Sequence, residues 1–167
     1  MDLNAKEMSN VPTIKLSYSN TVKPYEQPQI VDSWQAYQLL LKHWDPCKIE
    51  MAMECKVLLM NIESRVLGIV DITSGSTFTV PIDYKQVFAS TIISGATSMI
   101  LAYNHTSGES DPTGAEIEIG KKLEKAANLL DIRLMDNIIL TLDNYYSFLD
   151  KGKISDGKSK TPLDSRG

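Results

Sequence analysis

One stretch constrains this chain more than any other. The apolar run Met99-Ile100-Leu101-Ala102 breaks into a polar, Gly- and Pro-bearing loop and resumes at Thr113 to Glu116. The run reads as a buried strand, and the return at Thr113 as the start of a helix. A strand that ends in such a loop and feeds a helix N-terminus is where an α/β fold commonly holds a ligand or a metal. His105, one of two histidines in the protein, stands at the mouth of the loop.

The rest of the sequence supplies a frame for this corner. A length of 167 residues suits one domain, and 43% hydrophobic with 23% charged residues suffices for an ordinary core. The net charge of −4 weighs against a general nucleic-acid binder, which carries a basic excess to neutralise phosphates. No apolar run approaches the roughly 20 residues that cross a bilayer. The opening MDLNAKEMSNVPT lacks a secretory pattern, so the expectation is a cytoplasmic protein. Cys47 and Cys55 have no second pair to complete a four-thiolate cage and read as free thiols of a reducing compartment.

Residues 1–28 form an arm. Within Thr13 to Ser19, Ile14, Leu16 and Tyr18 alternate with Lys15 and Ser17, which predicts a half-buried edge strand laid on the domain or on a neighbour. Pro24 and Pro28 bracket a turn-rich linker. Asp32-Ser33 then caps a helix carrying Trp34, Tyr37, Leu40 and Leu41, which ends near His43 because Pro46 follows. His43 reads as a structural residue at that helix end. Lys56 to Asn61 and Arg65 to Ile72 are strands joined by the hairpin Ile62-Glu63-Ser64. Glu54 precedes the first of them and is expected to be solvated, although a strand lip is also a rigid place for an acid or base.

Ser74-Gly75-Ser76 predicts a turn and Thr77 to Pro81 a short strand. Asp83 caps a helix with Tyr84, Val87, Phe88, Thr91 and Ile92 on one face, closed by Gly95. The central strand runs from Thr97 to Tyr103. An amphipathic helix spans Thr113 to Leu130, and a strand runs from Ile132 to Leu142 with a bend at Asp136-Asn137. Tyr145 to Leu149 is a last short strand, residues 29–153 make the domain, and 154–167 a flexible tail. This order implies a mixed α/β fold of three layers, a central sheet flanked by helices.

Several stretches carry a family resemblance. They are Val57 to Asn61, Arg65-Val66-Leu67-Gly68, Asn104-His105-x-Ser107-Gly108, Pro112-Thr113-x-x-Glu116, Ala127 to Ile132 and Tyr145 to Phe148. From about Val31 to Lys153 the chain resembles the RadC family, whose JAB/MPN (JAMM) domain is similar in fold to cytidine deaminases. Nothing in it matches the helix-hairpin-helix segment of longer RadC proteins. The resemblance implies a zinc ion held by His-x-His and an Asp, a bound water, an upstream Glu as general acid/base and a supporting Ser. That is the logic of a hydrolytic zinc site, used by characterised JAMM enzymes on peptide or isopeptide bonds.

Carried over residue by residue, the resemblance puts Glu54 at the general base and His105 at the second zinc histidine. Tyr103 stands at the first histidine, Glu116 at the ligand Asp and Thr113 at the supporting Ser. A phenol must lose its proton, at an ordinary pKa of about 10, before it binds zinc well, and a Glu is one methylene longer than an Asp. Thr113-x-x-Glu116 also reads as a capping box that needs no metal. These departures weigh against tight zinc binding. The reading is a RadC-like domain with a degenerate metallopeptidase site, non-hydrolytic or weakly active, that works by binding a protein or peptide partner. The alternative is a working zinc metallopeptidase using Glu54 with Tyr103, His105 and Glu116. A third reading, DNA binding in repair, is opposed by the acidic balance.

Overall fold

Side-chain caps set the helix starts. In the computed structural model, which describes residues 14–76 and 82–155, α1 (Ser33–Lys42) begins where the Asp32 carboxylate accepts from the Gln35 amide. α2 (Tyr84–Ile93) begins where Asp83 accepts from the amides of Lys85 and Gln86. α3 (Gly114–Leu129) begins at the capping box of Thr113 and Glu116. Each cap satisfies amide donors that the first helical turn leaves open.

Five strands, β1 (Met53–Met60), β2 (Val66–Ser76), β3 (Ser98–Asn104), β4 (Arg133–Leu140) and β5 (Tyr145–Ser147), form one sheet in the order β2-β1-β3-β4-β5. Only the β3–β4 pair is parallel. The period of two sends alternate side chains to opposite faces. Cys55, Val57, Leu59, Leu101 and Tyr103 join Val87 of α2 and Leu123 and Ala127 of α3 in one core. Leu58, Met60, Ile100 and Ala102 join Ala36, Tyr37 and Leu40 of α1 in the other. This is the expected mixed α/β arrangement in three layers. Because β3 and β4 are parallel, α3 must cross over between them. The C-terminal ends of both strands and the N-terminus of α3 therefore meet at one edge.

The expected bend in the fourth strand is a β-bulge. Met99 faces Leu134 and Ile100 faces Asp136, so Met135 is unopposed. Asp136 is buried there and accepts from the Asn137 amide at 2.7 Å, the Leu149 amide at 3.0 Å and the Ser147 hydroxyl at 2.5 Å. Burial pushes its carboxyl up to about 6 even though these donors pull the other way.

Four expectations need correction. No strand exists from Ile14 to Asn20, and Ile14 and Leu16 are 85% and 67% exposed, because no neighbouring strand pairs with them. Ser74-Gly75-Ser76 is not a turn: β2 runs through it, since pairing of Ser74 with Glu54 and Ser76 with Met53 supplies ladder bonds that outweigh local turn propensity. The strand expected at Thr77 to Pro81 lies outside the described residues. β1 starts at Met53, so Glu54 lies within the strand and is 8% exposed rather than solvated. At the other end Ile154 is buried in the core, and Ser155 donates through its amide and hydroxyl to Glu124. The packed chain thus continues past Lys153. Cys47 and Cys55 are both free thiols. Among the described residues no helix is long and apolar enough to cross a membrane.

Candidate functional site

Tyr103 and Asn104 close β3, and the chain turns into the loop at His105, whose amide still reaches the Leu140 carbonyl at the end of β4. A cavity of about 360 Å³ opens between this loop, the first turn of α3 and the start of β1. Tyr103, His105, Thr113 and Glu116 line it, together with Met53 and Ile82. Four of the five residues singled out from the sequence are therefore brought together.

Glu54 is not with them. Its carboxylate turns to the α1 side of the sheet, 3.9 Å from Lys56 Nζ, which also contacts Asp71 and lies over the Trp44 ring. Glu54, Lys56 and Asp71 border a separate cavity of about 260 Å³. The side chain that β1 sends toward His105 is the thioether of Met53, one position earlier, and a shift of one residue along a strand reverses the face.

Asn104 anchors the corner. It is fully buried, its Oδ1 accepts from the Glu54 amide at 2.6 Å, and its Nδ2 donates to the carbonyls of Ile49 and Ala52 at 2.6 and 2.8 Å. The chain leading into β1 is thereby pinned to the end of β3.

The imidazole of His105 is committed on both sides. Nδ1 lies 2.8 Å from the Glu109 carbonyl and Nε2 lies 2.6 Å from Glu116 Oε1. A carbonyl only accepts, so Nδ1 carries a proton. Glu116 is held below the ordinary carboxylate range: burial alone would raise it, but the His105 bond and the Thr113 amide and hydroxyl outweigh that. Nε2 faces that carboxylate oxygen, and the imidazolium form, with both ring nitrogens protonated, is the one that satisfies both acceptors. Its bond to Glu116 raises its pKa above the ordinary value, against the opposing effect of burial. Both side chains are only 12% exposed, so water screens the pair weakly.

The other oxygen of Glu116 is also taken. Oε2 accepts from the Thr113 amide at 2.7 Å and the Thr113 hydroxyl at 2.8 Å, while Thr113 Oγ1 accepts from the Glu116 amide at 3.3 Å. The capping box thus uses the hydroxyl that the resemblance assigned to intermediate support. Tyr103 is 1% exposed and its hydroxyl has no hydrogen-bond partner. Burial and then the negative Glu116 raise its pKa far above that of free phenol, and the neighbouring Asn137 amide, outside hydrogen-bonding geometry, offsets little of this.

These donors do not fit a zinc ion as they stand. Zinc takes deprotonated or neutral ligands, usually three from the protein at a catalytic centre. Here the imidazole has both nitrogens protonated, the phenol keeps its proton and the carboxylate is filled by three donors. Among the described residues no group of three or more His, Cys, Asp or Glu side chains converges on a common point suited to a metal.

The pair has a pH signature. Glu116, held low, contributes stability above its ordinary value of 4.5 and loses it as pH falls through the lowered one. His105, held high, contributes fully below its ordinary value of 6.5 and loses that contribution as pH rises through the raised one. Urea unfolding should therefore show stability declining above 6.5, and His105→Ala should abolish that decline. The same variant should cost about 1–3 kcal/mol near pH 6, the range for a charged bond removed from a partly buried partner. An unchanged slope would mean that the ring is uncharged.

Comparison with known proteins agrees with this topology. A family model described as a RadC-like JAB domain matches residues 30–153. The chain belongs to the RadC-like JAB domain family. A "UPF0758 protein" of Flavobacterium johnsoniae is 36% identical over 96 residues, 58% of this chain and 42% of the relative. One of Chlorobaculum parvum is 34% identical over 94 residues, 56% of this chain and 42% of the relative. One of Porphyromonas gingivalis is 29% identical over 142 residues, covering 82% and 61%. The chain thus spans 42% to 61% of the length of these relatives.

Sequence reasoning did not find Met53 or the anchoring role of Asn104. Counting by twos back from Val57 would have placed Met53 on the cavity face. An Asn closing an apolar strand was the one local sign of a buried polar clamp.

Proposed function

We propose that this RadC-like JAB domain is a binding module whose metallopeptidase centre has been replaced by a salt-bridged cleft that takes a segment of a protein or peptide partner. One observation carries the reading: the only imidazole lining the cleft is locked, with Nδ1 on the Glu109 carbonyl and Nε2 on the Glu116 carboxylate. The imidazolium supplies the positive charge beside Glu116 that a metal would otherwise supply. Met53 in the cavity, where hydrolysis would call for a carboxylate beside the attacking water, supports the same view.

Catalysis by zinc needs a ligated metal, an open position and a base. The cleft's ligand set does not suit the metal, because the His105 ring is engaged at both nitrogens and the Glu116 carboxylate is filled by His105 and Thr113. It retains the depth and the mixed lining of a recognition site, with Ile82, Met53 and Ile119 as apolar walls and Thr106, Ser107 and Glu109 as polar contacts.

The test is zinc titration of the full chain by calorimetry, with metal content measured after purification without chelators. The expected result is little retained zinc and no difference in zinc uptake between the unsubstituted chain and His105→Ala. Stoichiometric zinc that is lost in His105→Ala would overturn the proposal in favour of a working metallopeptidase.

A further inference from the structure

At one side of the sheet, β2 is the terminal strand of the order β2-β1-β3-β4-β5. Among the described residues no strand lies along its outer backbone edge beyond the bond from Val66 to Pro28. Its side chains nevertheless resemble those of an interior strand. Leu67 and Val70 pack partly against the core on one face and Ile69 against the core on the other. An edge strand that is aliphatic on both faces is a template for another strand unless something blocks it.

The N-terminal arm has the complementary character. Ile14, Leu16 and Tyr18 alternate with Lys15 and Ser17 as a strand requires, and they are 85%, 67% and 41% exposed. The arm lies beside β2, where the Tyr18 hydroxyl donates to the Leu67 carbonyl at 2.6 Å. Among the described residues no backbone hydrogen bond joins 14–20 to β2. The chain's own pairing with this region stops at the Gln29–Arg65 bridge and the bond from the Val66 amide to the Pro28 carbonyl. Pro28 has no N–H to extend it, and the 3-10 turn Pro24–Glu26 carries the chain away. Among the described residues, 14–20 thus reach β2 through one hydrogen bond, from the Tyr18 side chain.

We propose that residues 14–19 of one copy add as a strand to the free edge of β2 in a second copy, in a reciprocal exchange that gives a two-fold dimer. A second copy's arm carries the same Pro24–Pro28 linker, but that linker runs to its own domain and does not hold the arm away from this β2. Each protomer carries one segment with a strand's alternation and one edge that the described residues leave largely unpaired, so the exchange satisfies both at once and closes on itself. What is given up is the single exposed Tyr18–Leu67 bond. What is gained is a run of ladder bonds and cover for Ile14, Leu16 and Tyr18. A cleft of about 300 Å³ lined by Val22, Leu39, Leu67 and Ile69 borders the same edge and has room for apolar side chains of the arriving strand.

Light scattering on the full chain is expected to give the mass of a dimer at micromolar concentration. Leu16→Asp with Tyr18→Asp should give the mass of one chain with unchanged circular dichroism, because both residues are exposed. A cross-linking arm then separates exchange from other dimers. In a Cys47→Ser background, Ser17→Cys and Gly68→Cys proteins are mixed and treated with a short bis-maleimide; nothing lies within 4 Å of a Cβ built at Gly68. Cross-linked heterodimers are expected. A monomer at every concentration, a dimer that survives the double Asp substitution, or no heterodimer on mixing would each overturn the proposal.

Discussion

The double variant Tyr103→His with Glu116→Asp is expected to bind zinc at least about 100-fold more tightly than the unsubstituted chain, since even outer-shell changes alter metal affinity by 10–100-fold. The first substitution removes a phenol that burial keeps protonated and supplies a neutral nitrogen. The second acts twice. A shorter carboxylate leaves His105 Nε2, now 2.6 Å from Glu116, without its partner, and it weakens the return bond to the Thr113 amide. Three ligands then face one cavity. Competition against a chromophoric chelator measures the gain, with circular dichroism as the control, because Tyr103 is a core residue and its replacement leaves space behind. Adding Met53→Glu places a carboxylate on the cavity face of β1. In that background Glu54→Gln is expected to leave zinc affinity unchanged, since Glu54 lies beside Lys56 on the opposite face of the sheet from the cleft. No gain in the double variant would mean that the His105–Glu116 pair and the Tyr103 phenol are not what keeps zinc out.

Asn104→Ala is expected to be the most destabilising alanine substitution near the cleft, costing about 3–5 kcal/mol, because removing a buried partner leaves each stranded group with a penalty of 1–3 kcal/mol. Three backbone groups lose their partner together: the Glu54 amide and the carbonyls of Ile49 and Ala52. For a chain of this size the fall in Tm is about 10 °C or more. The loop leading into β1 should loosen first, and with it Met53 and the near wall of the cleft. Thermal unfolding with hydrogen exchange across 49–55 checks both parts. Asn104→Asp keeps the acceptor for the Glu54 amide but sets a buried carboxylate oxygen against the two carbonyls, so it should destabilise at least as much as Ala at neutral pH and recover in acid as the carboxyl gains a proton. A change below 1 kcal/mol in Asn104→Ala would show that the corner is held by the strands alone.

The His105–Glu116 pair clarifies how the family frame persists without its metal. Helix α3 must start where the chain leaves the loop, and Thr113 with Glu116 starts it by bonds that need no ion. The loop must be tied back to the sheet, and His105 does this through its ring, which meets the Glu109 carbonyl, and its amide, which bonds Leu140 of β4. A metal would do both through shared ligands. Here an ion pair and a capping box do so, which separates the stability of the corner from metal supply.

Much of this protein is written locally. The continuous apolar run Val57 to Met60, the caps at Asp32, Asp83 and Thr113 and the three- and four-residue spacing of α1 and α3 each specify an element from neighbouring residues alone. The capping box was legible for the same reason, since both of its partners lie within one turn. The motif around Asn104, His105 and Glu116 likewise located the cleft and the family frame. The tertiary structure decided what depends on partners distant in sequence. Ser74 to Ser76 became strand because β1 lies alongside, and Glu54 left the cleft because the position of β1 against β3 turns Met53 toward it. The arm's strand pattern met no partner within its own chain. Whether His105 is a ligand or an imidazolium rests on Glu109 and Glu116 meeting its two nitrogens, because the proton's position follows from facing atoms and not from the residue's name.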